Sequence, residues 1–224
     1  MCGRFVIKSP LMDIVEYFEV HDVRTEDRGP RFNVAPSTQI PLIRDTGDAR
    51  TLDAAWWGFV PRWAKTLDSG RRPINARCET VAESRLFGPA YQQRRCLIPA
   101  DGYYEWKALG GRRKQPYYIH PADGEMLAFG AIWEPWHEGD PDGITTTAII
   151  TTPANAAAEA LHDRMPLMVP RENWEEWLLG DDPSDLLHPP ADDLLTWHPV
   201  DSAVGNPRNE NEHLIDPIAT DEEE

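Results

Sequence analysis

Residues 39–60 read QIPLIRDTGDARTLDAAWWGFV. Two apolar runs, QIPLIR and RTLDAAWWGFV, flank Asp45-Thr46-Gly47-Asp48, whose short polar side chains and glycine suit a tight reversal. The pair predicts a β-hairpin. Outward from it, apolar stretches predict further strands at 95–106, 115–120, 126–133, 144–152 and 195–200. Ser9 as a helix cap, Pro10 in the first turn and Leu11, Ile14, Val15 and Phe18 at helical spacing predict a helix over 10–19. The Ala run at 154–161 and the segment 171–179, closed by Gly180, predict two more, and 79–94 short helices. Segments 21–31 and 64–74 have loop composition, the latter leading into NARCET at 75–80. Strand–helix alternation, a repeat period, a Gly-rich phosphate loop and an interdomain linker are all missing from the pattern. The expectation is one compact α+β domain over 1–215, mainly antiparallel β as a curved sheet or open barrel with flanking helices. An acidic, disordered tail is expected over 216–224, ending DEEE.

The 224 residues, 41% hydrophobic and with nine Trp, are enough to bury a core. No apolar run reaches the ~18 residues of a membrane span, and MCGRFVIKSP lacks the charged-then-apolar pattern of a signal peptide. A cytoplasmic protein that does not engage a membrane is expected. Cys2, Cys78 and Cys96 are too few for a disulfide framework, no CxxC occurs, and the histidines show no ligand spacing. Neither a metal nor a cofactor is therefore expected. The formal net charge of −16 conceals an asymmetry: residues 1–120 carry 19 Lys and Arg against 14 Asp and Glu, and residues 121–224 carry 3 against 24. Eighteen of the 22 basic residues are Arg, which suits bidentate phosphate contacts but is equally the habit of salt-adapted proteins.

Several residues offer chemistry. Removal of Met1 ahead of the small Cys2 would leave a free α-amine beside a thiol. An α-amine has a pKa of about 7.7–8.0, so on the order of a tenth is neutral at pH 7. Amine and thiol together can condense with an aldehyde, through a Schiff base, to a five-membered thiazolidine. Alternatively the thiol can attack an amide. His162, in Leu161-His162-Asp163-Arg164-Met165-Pro166, is suited to acid/base work near neutrality, or to capping a helix end. Glu105 lies among aromatics in a half-buried strand, where desolvation would raise its pKa; a surface ion pair is the plainer reading. Asn75 can orient a substrate, and Arg77 can clamp a phosphate. Cys78 and Cys96 read as core residues. In Trp56-Trp57-Gly58-Phe59-Val60-Pro61-Arg62-Trp63, one of the paired Trp is expected inside and Trp63 outside, as a wedge against bases, with Arg62 beside it.

Together, MCGRF, RFNVAPS (31–37), WGFVPRW (57–63), NARCET, CLIPADGYYEW (96–106), AIITTPAN (148–155) and LHDRMPLMV (161–169) resemble the SOS response-associated peptidase (SRAP) family. The resemblance runs from Cys2 to about Arg208 and implies a mainly β domain with flanking helices. It implies a sensor of abasic sites in single-stranded DNA that captures them covalently, with catalytic roles on Cys2, Asn75, Glu105 and His162. Arg4 and Arg77 match family positions that contact phosphate, and Arg62 and Arg164 complete a candidate Arg-lined channel. Val204-Gly205-Asn206 departs from the family pattern, which would place a second Asn at position 205. The chemistry so implied is thiazolidine formation by Cys2 after loss of Met1, itself autocatalytic or the work of an aminopeptidase, with abasic-site lyase activity if ring closure is slow. A monomer is expected, with abasic single-stranded DNA as partner and replication-fork proteins as further candidates. Two rivals are a cysteine-type peptidase acting on proteins and a strand-protecting module without chemistry.

Overall fold

The computed structural model describes residues 2–66, 72–137 and 143–219. Early strands are β1 (Phe5–Ile7), β2 (Asp22–Val23), β3 (Arg31–Val34), β4 (Gln39–Asp45), β5 (Arg50–Trp57) and β6 (Asn75–Arg77). Later ones are β7 (Arg95–Ala100), β8 (Gly102–Ala108), β9 (Lys114–Pro121), β10 (Leu127–Trp136), β11 (Ile144–Pro153), β12 (Arg164–Pro166) and β13 (Leu195–Pro199). Three short α-helices, α1 (Leu11–Tyr17), α2 (Gly88–Gln93) and α3 (Trp174–Leu179), flank them.

The predicted hairpin is β4–β5, antiparallel from Gln39↔Trp56 to Asp45↔Arg50, with Gly47 at φ +86° in the turn. It belongs to an eight-stranded sheet ordered β12-β11-β10-β7-β4-β5-β2, with β6 on β11. A parallel contact of β5 with β11, Trp56↔Thr146 and Trp57↔Thr147, closes β4, β5, β11, β10 and β7 into a barrel-like ring. The seam is parallel, so the barrel is closed rather than open and is not wholly antiparallel. Hydrophobic alternation reports which face a residue takes, not its partner strand, so this closure was invisible in the sequence.

A second sheet, β13-β9-β8-β1-β3, packs against the ring. The chain crosses between sheets at Asp101, so the single strand expected over 95–106 is two, β7 and β8. Asp101 fixes the corner by accepting from the backbone N–H of Lys8 (2.6 Å) and Ser9 (3.0 Å) and from the Ser9 hydroxyl (2.5 Å). Ser9 is thereby diverted from capping α1, whose N-cap position is Pro10. Beside the corner, a Cβ on Gly102 would stand 2.6 Å from the Ile119 carbonyl oxygen and the Tyr118 ring, an approach only glycine permits.

Between the sheets, Phe5 meets Trp57 edge-on at 5.0 Å and Phe129 at 6.0 Å, and Phe129 meets Tyr103 at 6.1 Å. All four rings are essentially inaccessible to water. Trp57 is thus the inward member of the Trp pair, its indole N–H donating to the Ile74 carbonyl at 3.0 Å. The helix expected over 154–161 is a run of turns. Asn155 caps its start, its Oδ1 accepting from the Ala158 N–H at 3.0 Å, but no regular α-helix follows. Gly180 ends α3 in an extended conformation (φ −62°, ψ 150°), not a left-handed one; a Cβ there would meet the Glu176 carbonyl oxygen at 2.4 Å. Residues 216–219 are described, and the Ile218 N–H donates to the Pro199 carbonyl at 3.0 Å; the acidic end expected to be disordered, 220–224, lies outside the described residues. No helix among the described residues is long and apolar enough to cross a membrane.

Truncation of Phe5 should be costly because it sits where both sheets meet. Phe5→Ala is expected to lose about 3–5 kcal/mol of stability, measured by urea denaturation, whereas Met12→Ala, at a side chain 67% exposed, should be close to neutral.

Candidate active site at the N-terminal strand

The packing of Phe5 fixes the start of the chain. Phe5 pairs with Tyr103 across β1 and β8, and the Tyr104 N–H donates to the Arg4 carbonyl at 3.0 Å. Three residues before Phe5, Cys2 is therefore carried into the interior and is wholly buried. Its carbonyl accepts from Asn75 Nδ2 at 2.8 Å. Asn75 opens β6, held by Ile149 of β11, so a barrel edge carries the amide to the chain's first residues. The Asn75 Oδ1 atom is buried with no hydrogen-bond partner among the described residues, a poised acceptor beside Cys2.

Glu105 follows Tyr103 by two residues on β8 and so shares its inward face. It is only 4% exposed, more buried than the half-buried strand reading implied. Burial raises its pKa above the ordinary carboxylate value, and its charge in turn reaches Cys2. The Cys2 thiol is pushed far up, first by burial and then by Glu105, so it is protonated near neutrality.

His162 closes the group, its Nε2 lying 3.9 Å from Glu105 Oε2. On the other side of the ring, the Arg164 backbone N–H donates to Nδ1 at 3.0 Å, and Asp163 Oδ1 also lies 2.9 Å from Nδ1. One ring nitrogen cannot accept from Arg164 and donate to Asp163 at once. The Asp163 side chain is 86% exposed, so solvent screens its pull and the backbone donor governs the neutral ring. Its hydrogen then sits on Nε2, facing Glu105. The structure thus brings Cys2, Asn75, Glu105 and His162 together from the segment before β1, β6, β8 and the loop before β12.

The remaining candidates separate into exposed and engaged side chains. Arg77 is exposed at the end of β6. Trp63 is 73% exposed on a turn pinned by three hydrogen bonds: Ala64 N–H to Pro61 (2.8 Å), Trp136 indole to Ala64 (2.8 Å), and Val60 N–H to the Thr146 hydroxyl (3.1 Å). Arg62 pairs with the buried Glu134 at 2.6 Å, which Arg94 also holds at 2.8 Å. Arg164 is held by Glu79, and Arg4 donates to Asn33 Oδ1 and the Val204 carbonyl, both at 2.8 Å. Cys78 and Cys96 are buried, as expected of core residues.

Two residues were not singled out from sequence. Asn33, 2% exposed, donates to the carbonyls of Val204 (3.3 Å), Asn206 (3.1 Å) and Asn209 (2.8 Å). The Val204-Gly205-Asn206 loop is thus gripped through its backbone, and a Cβ on Gly205 would meet nothing within 4 Å, so Gly205 costs no packing. Glu79, in NARCET, is the other; its partner Arg164 lies far along the chain, and nothing beside it in the sequence signals the pair. No cluster of three or more metal-ligating side chains is present among the described residues.

Comparison with known proteins bears on the whole chain. The family model described as SOS response associated peptidase (SRAP) matches residues 1–207. The chain is 38% identical over 222 residues to the abasic site processing protein YoqW of Bacillus subtilis, covering 96% of this chain and 99% of that one. It is 36% identical over 232 residues to the abasic site processing protein YedK of Escherichia coli, covering 97% and 100%. A solved structure from Bacteroides thetaiotaomicron superposes with a TM-score of 0.85 at 21% identity over 97% of this chain and all of that one, a likeness of fold alone. A phage-related protein of Bordetella bronchiseptica superposes with a TM-score of 0.71 at 29% identity, covering 89% and 94%. With the expected fold present and the family model spanning nearly its full length, the chain belongs to the SRAP family.

Proposed function

We propose that this protein processes abasic sites in single-stranded DNA by capturing them covalently through Cys2 after removal of Met1. The observation that carries the reading is the convergence of a buried Cys2, held by Asn75, with Glu105 and His162. Related proteins named for abasic site processing support the choice of substrate.

The open-chain abasic sugar presents an aldehyde at C1′. The Cys2 amine adds to that carbon, and the carbinolamine loses its hydroxyl as water, leaving an imine. The Cys2 sulfur then adds to the same carbon and its proton passes to the nitrogen, closing the thiazolidine. One water is released and no oxidant is needed. Burial raises the pKa of Glu105, which suits it to pass a proton to the departing hydroxyl and to accept one back. His162 serves the transfers that make or reverse the link, and Asn75 holds the Cys2 end. If closure lags, the imine is open to β-elimination, which would give lyase activity.

The state of the thiol favours this order over a peptidase. A cysteine nucleophile needs a depressed pKa, whereas burial and Glu105 push this one up. A protonated thiol leaves the first attack to the amine. Exposed Trp63 and Arg77 are suited to stack a base and meet a phosphate, while Arg4, Arg62 and Arg164 already hold internal partners. Stacking, at about 1–3 kcal/mol per base, helps explain how so acidic a chain engages DNA.

Protein beginning at Cys2, mixed with a single-stranded oligonucleotide carrying one abasic site, should give a shifted band on a denaturing gel. The band should vanish with Cys2→Ala and with a methoxyamine-blocked site. A band that persists in either control, or none with the mature protein, overturns the reading.

Glu105 also has a stability signature. Its folded pKa is raised, so the fold is favoured with Glu105 protonated and penalised as pH rises through that raised value. Glu105→Gln should therefore melt higher than the parent near pH 8, by about 2–4 °C for each kcal/mol recovered. The difference should disappear below the ordinary carboxylate pKa of about 4.3. The same variant should crosslink on the order of 100-fold more slowly, as for loss of a general acid.

A further inference from the structure

We propose that Glu79 is a positioning residue that sets the orientation and protonation of His162 through Arg164; this rests on the reading of Cys2 and His162 above. Both carboxylate oxygens of Glu79 engage the Arg164 guanidinium, NH2 reaching Oε2 at 3.0 Å and NH1 reaching Oε1. The same NH2 donates to the Thr151 carbonyl at 2.6 Å and lies 3.1 Å from the Thr151 hydroxyl. Only 11% of the Arg164 side chain is exposed, so the guanidinium is fixed on two sides.

The place of this clasp gives it leverage. β6 and β12 lie on opposite edges of β11, Arg77 paired with Thr151 on one and Arg164 with Pro153 on the other. Glu79 lies in the turn after β6, four residues past Asn75, and Arg164 opens β12, two residues past His162. The Thr151 carbonyl accepts from the Cys78 N–H at 2.9 Å as well as from Arg164, so both edges meet on one atom. The strand that holds Cys2 is thereby tied to the loop that holds the imidazole.

Transmission to the ring runs through one residue. The guanidinium held by Glu79 belongs to the residue whose backbone N–H donates to His162 Nδ1 at 3.0 Å. While that donor is aimed at Nδ1, the neutral ring carries its hydrogen on Nε2, towards Glu105. Released, the N–H swings away and Asp163 becomes the stronger partner for Nδ1, which moves the hydrogen to the wrong side. The hydrogen bonds from Arg164 hold the Glu79 carboxyl down at about 2, so the clasp stays charged throughout the working pH range.

The test pairs Glu79→Gln with the shorter acid of Glu79→Asp. It reads the His162 ring nitrogens by long-range 1H–15N NMR, assigned by comparison with His162→Gln. Alongside, the rate of crosslinking to an abasic oligonucleotide is followed against pH. In E79Q the His162 nitrogens should shift away from the Nε2–H form. The crosslinking profile should move in parallel and its maximum fall about tenfold or more, as a small misplacement of a catalytic group does. E79D should recover part of each change. Unchanged His162 signals and pH profile in E79Q overturn the proposal even if the variant melts lower, since the clasp would then be structural only. Should E79Q fail to fold, an E79D spectrum identical to the parent's overturns it and a shifted one supports it. A parent protein that forms no crosslink removes the covalent-capture reading, while the NMR comparison still decides for or against Glu79.

Discussion

The structure depends on one constraint: the first residues of the chain are built into the interior. Phe5 sits where the two sheets meet, β1 is paired on both sides, and Asn75 grips the Cys2 carbonyl. An N-terminus is ordinarily the least ordered part of a domain. Here it is anchored by an aromatic contact whose removal would loosen both sheets, and the backbone from Phe5 to Cys2 has little freedom left. The fold therefore holds the chain end in place, with β6, β8 and the loop before β12 each delivering one side chain to it.

Burial then sets the chemistry. The same desolvation that raises Glu105 and the Cys2 thiol makes the site a poor contributor to stability, and suits it to the proton transfers proposed. Charges around it are managed differently. Glu134 between Arg62 and Arg94, and Glu79 on Arg164, are paired carboxylates that hold loops in place. The pinned turn leaves Trp63 exposed on a fixed support, which would lower the entropy lost if a base stacked on it as proposed.

Much of this was legible in the sequence. The β4–β5 hairpin followed from the turn chemistry of residues 45–48, and the mainly β class from repeated short apolar runs. One inward member of the Trp56-Trp57 pair and an outward Trp63 were anticipated, though not that the inward one is Trp57. The convergence of Cys2, Asn75, Glu105 and His162 came from motif resemblance, because nothing local in four separated segments says that they meet. What stayed hidden was non-local. The parallel seam of β5 on β11 depends on which edges are left to pair. The corner at Asp101 depends on three donors from residues 8 and 9, which also explains why Ser9 does not cap α1. The Ala run at 154–161 had the propensity for a helix and is capped by Asn155, yet it forms only turns. Glu79 and Asn33 were overlooked because their partners, Arg164 and the 204–209 loop, lie far along the chain.

The central claim is that the position of Cys2, not merely its amine and thiol, makes the protein a trap for an aldehyde on DNA. One glycine inserted between Cys2 and Gly3 keeps every functional group and displaces Cys2 by about 3.3–3.6 Å of chain. Crosslinking of this variant to a single-stranded abasic oligonucleotide should fall to the rate at which a short peptide with an N-terminal cysteine reacts with the same site, while its melting temperature stays near the parent's. Crosslinking at the parent rate would contradict the account, because the buried, fixed chain end would then contribute nothing.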